Sequence, residues 1–253
     1  MRLSAKTILL LACSSLLACV SDSPPQNNTD DRSTTDLYVM KGIQYIEKGR
    51  LDVAQQDLEK AVELDDGNAE AHNALGVLYE RQNRPADAEA QFKRALALDE
   101  NNFAASNNYA RLLCAQGQYD LAMQRFKTLI DSTLYQTPWL ALTNAGLCSK
   151  IKGLNADAES YMRKALEANP NFAPALLEMA KLSMETGNNM SARAFLQRYD
   201  SSAPPSPESL FLGVQIEQAL GNAKDANTYR KKLQMLFPDS KEALRARTSR
   251  ASK

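Results

Sequence analysis

Residues 69–102 read AEAHNALGVLYERQNRPADAEAQFKRALALDENN, and the spacing inside this stretch decides the fold. Counted from Ala69, Leu75, Gly76 and Tyr79 fall at positions 7, 8 and 11, and Ala88, Phe92 and Ala95 at positions 20, 24 and 27. The same residue types return at the same intervals every 34 residues, and such self-similarity at a fixed period marks a stacked-repeat architecture. Upstream, residues 35–68 place Tyr38, Gly42, Tyr45, Gly49, Ala54, Leu58 and Ala61 in this frame. Downstream, residues 103–136 place Tyr109, Ala110, Leu113, Gly117, Ala122 and Phe126. Two extra residues follow, Thr137-Pro138, and the frame resumes at 139–172 with Ala145, Gly146, Gly153, Ala158, Met162 and Ala165. Residues 173–206 supply Met179, Ala180, Gly187, Ala192 and Leu196. A weaker copy at 207–240 keeps Leu210, Gly221, Ala226 and Pro238, but has Gly213-Val214 where Leu-Gly would stand.

These residues at these positions resemble the tetratricopeptide repeat. The resemblance implies an all-α fold: six helix pairs stacked into a right-handed superhelical solenoid over residues 35–240, each burying a face on the next. Small residues at positions 8, 20 and 27 let the paired helices approach, and large ones at 7, 11 and 24 fill the space around them. Abundant Ala, Leu, Glu, Gln and Lys, with only 10 Gly, agrees with helix. The basic tail 241–253, KEALRARTSRASK, is expected to begin as a last solvating helical turn and then fray.

In repeats of this kind the first helix of each pair lines the concave face, through positions 2, 5, 9, 12 and 13. That assigns Val39, Ile43 and Ile46 in the first repeat, Asn73 and Val77 in the second, Asn107 and Arg111 in the third, and Leu140, Leu147 and Ile151 in the fourth to a partner-binding groove. So apolar a set suits an extended or helical peptide. Asn73 and Asn107, one repeat apart at position 5, would grip a ligand's backbone; the plainer alternative is that Asn is common there. Asp36 and Glu70 would repel the acidic C-terminal tails that carboxylate-clamp members of the family bind.

The N-terminus reads as an address. Arg2 and Lys6 precede an apolar run of about a dozen residues, too short to span a bilayer, so residues 1–18 are read as a signal peptide. Leu16-Leu17-Ala18-Cys19 looks like a lipobox, which implies acylation of Cys19; the same tetrapeptide at Leu10–Cys13 would leave too short an apolar region. Val20, next to Cys19, is not the Asp that retains lipoproteins at the inner membrane, so the expected location is the periplasmic face of the outer membrane, held by acyl chains on Cys19. Residues 19–34 are rich in Ser, Pro, Asn and Asp and read as the lipidated cysteine with a flexible tether. In the exported protein, Cys114 and Cys148 fall at near-equivalent places in adjacent first helices. A disulfide there would staple the third repeat to the fourth across the two-residue insertion; the alternative is a pair of buried thiols.

Nothing points to chemistry. Thirty Lys and Arg balance thirty Asp and Glu, which argues against nucleic acid as a partner. The only His, His72, sits at a packing position of the second repeat. No phosphate loop, Cys-x-x-Cys pair, nucleophile elbow or His-Glu motif is present, so no catalytic residue, metal site, cofactor or small-molecule substrate is expected. The stretches NNYARLLCAQGQYDLAMQRF (107–126), TNAGLCSKIKGLNADAESYMRKAL (143–166) and LGVQIEQALGNAKDANTYRKKLQMLFPDS (212–240) make the whole chain resemble the PilF/PilW-type lipoproteins of type IV pilus biogenesis. That resemblance implies a pilotin, a non-enzymatic scaffold that promotes outer-membrane localisation and multimerisation of the pilus secretin. The alternative is a periplasmic adaptor for peptidoglycan enzymes or outer-membrane protein assembly.

Overall fold

The computed structural model describes residues 28–248; the segment read as a signal peptide, Cys19 and residues 249–253 lie outside the described residues. Thirteen helices and no strands are present among the described residues. They pair as α1 (Asn28–Glu47) with α2 (Leu51–Leu64), α3 (Ala69–Arg81) with α4 (Pro85–Leu98), α5 (Phe103–Ala115) with α6 (Tyr119–Asp131), α7 (Pro138–Ile151) with α8 (Asn155–Ala168), α9 (Ala173–Glu185) with α10 (Asn189–Ser202), and α11 (Pro207–Ala219) with α12 (Ala223–Leu236), followed by α13 (Lys241–Thr248). The first helix of each pair touches the first helix of the next, whereas successive second helices do not meet. A stack that is closed on one side and splayed on the other must curve, with the first helices on the concave face.

Local chemistry explains why each repeat turns where it does. Position 15 carries Gly49, Gly117, Gly153, Gly187 and Gly221, all at φ between +71° and +84°, and Asn83 at φ +58°. A left-handed residue there ends the first helix and lets the next amide bond back five residues, as Gln118 N does to Leu113 O at 2.8 Å. Asn is the L-residue that tolerates this conformation best. Within each pair, closeness is set by position 8. A Cβ on Gly76 would stand 2.4 Å from the Phe92 ring, so the glycine is what lets that fully buried ring lie against α3. Asn68 and Asn102 begin the next repeats by accepting from Ala71 N and Ala105 N at 2.9 and 2.8 Å.

Three features depart from the expected frame. Helix begins at Asn28, so the last part of the segment read as tether is the start of α1. The packed part of α1 propagates the helix back to this start. The two inserted residues lengthen the linker after α6 to 132–137, and Pro138 opens α7 at its first position, where its missing N–H costs nothing. The sixth repeat is a full helix pair with its contact moved by one residue. Gly213, not residue 214, makes the close approach: its Cβ would meet Tyr229 at 2.5 Å, while Val214 is fully buried. Position 24, held by Phe92, Phe126, Met162 and Leu196 in earlier repeats, here holds the buried Arg230. Its guanidinium donates to Ala246 O at 3.3 Å and to Asn227, tying α12 to α13. The described part of the tail, α13, is thus a docked helix, with Ala243 and Ala246 fully buried beside Leu210 and Leu233.

Candidate protein-binding groove

The structure splits the expected groove residues into two groups. Ile43, Val77, Leu140 and Leu147 are half-buried on the concave face, Asn107 is half-buried, and Arg111 and Ile151 are exposed. Val39, Ile46 and Asn73 are instead only 4–6% exposed, which corrects their assignment to the groove. In the first repeat, positions 5 and 12 lie at the seam where α1 packs on α3, and Val39 and Ile46 belong to the same core cluster as Ala71, Ala74, Leu75 and Leu78. Their apolar character is therefore explained by stacking.

The asparagines also serve the seam. Asn108 donates to Asn73 Oδ1 at 3.0 Å, and Asn144 donates to Asn107 Oδ1 at 3.1 Å, each bond crossing from one repeat to the next. Asn73 Nδ2 reaches Glu70 at 3.1 Å. An amide pair in this setting satisfies groups that burial would otherwise leave unpaired, which fixes the register between repeats. Ligand-gripping was the wrong role for Asn73, whose carbonyl and amide are both engaged.

Charge divides the concave face. Arg111 bonds Glu80 at 2.8 Å across the second and third repeats. Burial raises the Glu80 carboxyl above its ordinary value, and the nearby Arg111 only partly opposes this. Farther along, Lys150 joins Glu185 at 2.8 Å and Lys181 joins Glu208 at 2.6 Å, with Glu178 between the two lysines, so that α7, α9 and α11 are laced by one ionic ladder. Burial alone would lower the Lys181 ammonium; hydrogen bonds and charge from Glu178 and Glu208 outweigh it and hold the lysine protonated to higher pH.

This face also carries a hollow that lies outside the expected groove residues. A cavity of about 500 Å³ opens between α9, α11 and α13, walled by Met184, Phe211, Leu212 and Gln215 and rimmed by Lys181, Glu185, Glu208, Lys241, Glu242 and Arg245. Leu177, Met184 and Phe211, all half-buried, extend the apolar floor from Leu140 and Leu147 into repeats five and six. They occupy positions 5 and 12, so the 34-residue frame contained the signal. The cavity wall supplied by α13 lies beyond the repeat frame. The floor therefore has two apolar patches, Ile43 with Val77 and Leu140 through Phe211, parted by the Glu80–Arg111 pair.

Cys114 and Cys148 are joined by a disulfide, with Cα atoms 5.8 Å apart, and both are buried. The link binds α5 to α7 directly across the long 132–137 linker. His72 is buried, with Nδ1 2.7 Å from Gln91 Oε1 and Nε2 3.1 Å from Asp66 O, a structural tie between α3 and its neighbours. Among the described residues, no group of three His, Cys, Asp or Glu side chains is placed to hold a metal ion. No described helix is long and apolar enough to cross a membrane.

Known proteins share this architecture and its length. Tetratricopeptide-repeat family profiles match residues 39–102, 81–142 and 152–210. The type IV pilus assembly protein PilF of Pseudomonas aeruginosa is 30% identical over 245 residues, covering 96% of this chain and 97% of PilF. A solved Pseudomonas aeruginosa PilF structure superposes with a TM-score of 0.68 at 30% identity, covering 87% of this chain and 99% of the other. The crystal structure of PilW, described as a widely conserved type IV pilus biogenesis factor, gives a TM-score of 0.70 at 29% identity over 83% of this chain and 96% of PilW. A match that runs nearly end to end through all six repeats, at this identity, places the chain in the PilF/PilW family of tetratricopeptide-repeat proteins of type IV pilus biogenesis.

Proposed function

We propose that this protein is a pilotin: a lipid-anchored, non-enzymatic scaffold at the periplasmic face of the outer membrane that promotes localisation and multimerisation of the pilus secretin. The observation that carries this reading is the collinear relationship to PilF over 96% of the chain. The lipobox ending at Cys19 supports the anchor, because more than one acyl chain holds a protein stably on a bilayer. The secretin segment would lie along the concave face. There the half-buried Leu140, Leu147, Leu177 and Phe211 offer apolar area, and the lysines and glutamates of the ladder offer directional polar contacts.

The test is a strain lacking the gene, scored for detergent-resistant secretin multimers against monomer, with surface pili alongside. Loss of multimers, restored by the wild-type gene but not by Cys19→Ala, is the expected result. Normal multimers and pili would remove the pilotin reading and leave an adaptor for peptidoglycan enzymes or outer-membrane protein assembly.

A further inference from the structure

The two ends of the solenoid differ, and the open end is chemically distinctive. Positions 3 and 6 of each first helix face the preceding repeat: Ala71 and Ala74 of α3 are 0% and 2% exposed against α1. In α1 these positions hold Leu37 and Met40, 45% and 57% exposed. Continuing along the helix surface at intervals of three and four, the same outward strip carries Lys41 and Gln44, and Lys48 follows in the turn just past α1, all three exposed. Between residues 33 and 48 the carboxylates Asp36 and Glu47 stand to the groove side of this strip, with Asp36 accepting from the Asn68 amide at 3.5 Å. Lys41 and Lys48 lie over Tyr38 and Tyr45, 5.4 and 5.8 Å from the ring centroids. Apolar side chains flanked by lysines and tyrosines are the composition of a helix that lies on an anionic lipid surface.

Position along the chain supports that occupant over others. α1 begins at Asn28, nine residues after Cys19, so an acyl chain on Cys19 would hold this helix within about 30 Å of the bilayer. Two apolar side chains and two lysines bind a membrane weakly by themselves, but tethering makes the contact intramolecular, and weak contacts are then occupied. We infer that the open N-terminal face of the solenoid, formed by Leu37, Met40, Lys41 and Gln44 of α1 and by Lys48 just past it, rests on the anionic phospholipid surface and sets the orientation of the solenoid. The inference rests on the acyl anchor proposed above. It would turn the capped end away from the bilayer toward the periplasm.

The full acylated protein is reconstituted on vesicles of phosphatidylethanolamine with phosphatidylglycerol, the latter brominated to quench nearby indoles. The wild-type protein, whose one tryptophan is Trp139, is compared with Leu37→Trp. The added indole of Leu37→Trp is expected to be quenched several-fold more than Trp139. That quenching should vanish at high salt and in Leu37→Trp carrying Lys41→Glu and Lys48→Glu, while the protein still floats with the vesicles. Flotation without quenching at position 37 overturns the inference and leaves the anchor standing. Protein that fails to float removes the anchor, and the inference falls with it. A concentration-dependent indole shift without lipid, accompanied by dimer in sedimentation, would assign the face to a second copy and would equally overturn it.

Discussion

At one end of this solenoid α13 covers the last repeat, and at the other end nothing in the described structure covers the first. The covered end buries Ala243 and Ala246 completely against Leu210 and Leu233 and adds a guanidinium bond from Arg230 to Ala246 O. The open end leaves Leu37 and Met40 about half exposed. A repeat array must satisfy its terminal faces, because each unit is built to bury one face on the next. Stability is therefore concentrated where the stack is finished, and apolar surface is left free where it is not.

The largest effect is expected from ending the chain after Ser240, which removes α13. Uncovering Leu210 and Leu233 is expected to cost roughly 3–6 kcal/mol, from the usual value of burying a leucine side chain. Chemical denaturation followed by circular dichroism would read this, and an unchanged midpoint would mean α13 contributes nothing to the stack. A sharper version concerns the middle. Replacing Cys114 and Cys148 with Ser should lower stability by about 3–4 kcal/mol, as expected for opening a loop of this length. Because the bond crosses the longest linker, the variant is also expected to melt in two steps, the end capped by α13 last. A single sharp transition at the wild-type temperature would contradict both statements.

A smaller effect comes from Glu80. Its folded-state pKa is raised, chiefly by burial, so the native state holds the proton more tightly than the unfolded chain. Its contribution to stability is therefore greatest at low pH and declines as pH rises from the ordinary value of 4.5 through the raised one. Glu80→Gln should remove that decline, a difference visible in stability measured between acid and neutral pH. The smallest effect belongs to the open end: Leu37→Gln with Met40→Gln should change stability by no more than about 0.5 kcal/mol, as for exposed sites generally. A loss of several kcal/mol in that double variant would show that the face is packed after all.

Much of this fold was readable from residues 69–102 and their echoes. The turns at Gly49, Asn83, Gly117, Gly153, Gly187 and Gly221 and the close contact at Gly76 follow from backbone sterics, which a fixed period displays openly. What the period did not display is which face of a first helix meets the next repeat. Val39, Ile46 and Asn73 looked like groove because apolar and amide side chains suit a binding surface, yet the same chemistry suits a seam between helices. The sixth repeat was blurred because Gly213 and Tyr229 make together, one residue earlier, the contact that positions 8 and 24 make elsewhere. The helix from Asn28 was hidden because its local composition is polar; it forms as an extension of a segment that is packed.

The proposed pilotin role requires the concave face to bind the secretin. Titration calorimetry of the acylated protein with the secretin's periplasmic domains tests it most directly, comparing wild type with Leu147→Asp, a half-buried floor position. Wild type is expected to bind and the variant, still folded by circular dichroism, to lose at least about tenfold in affinity, roughly 1.4 kcal/mol. Equal binding by the two proteins would contradict it.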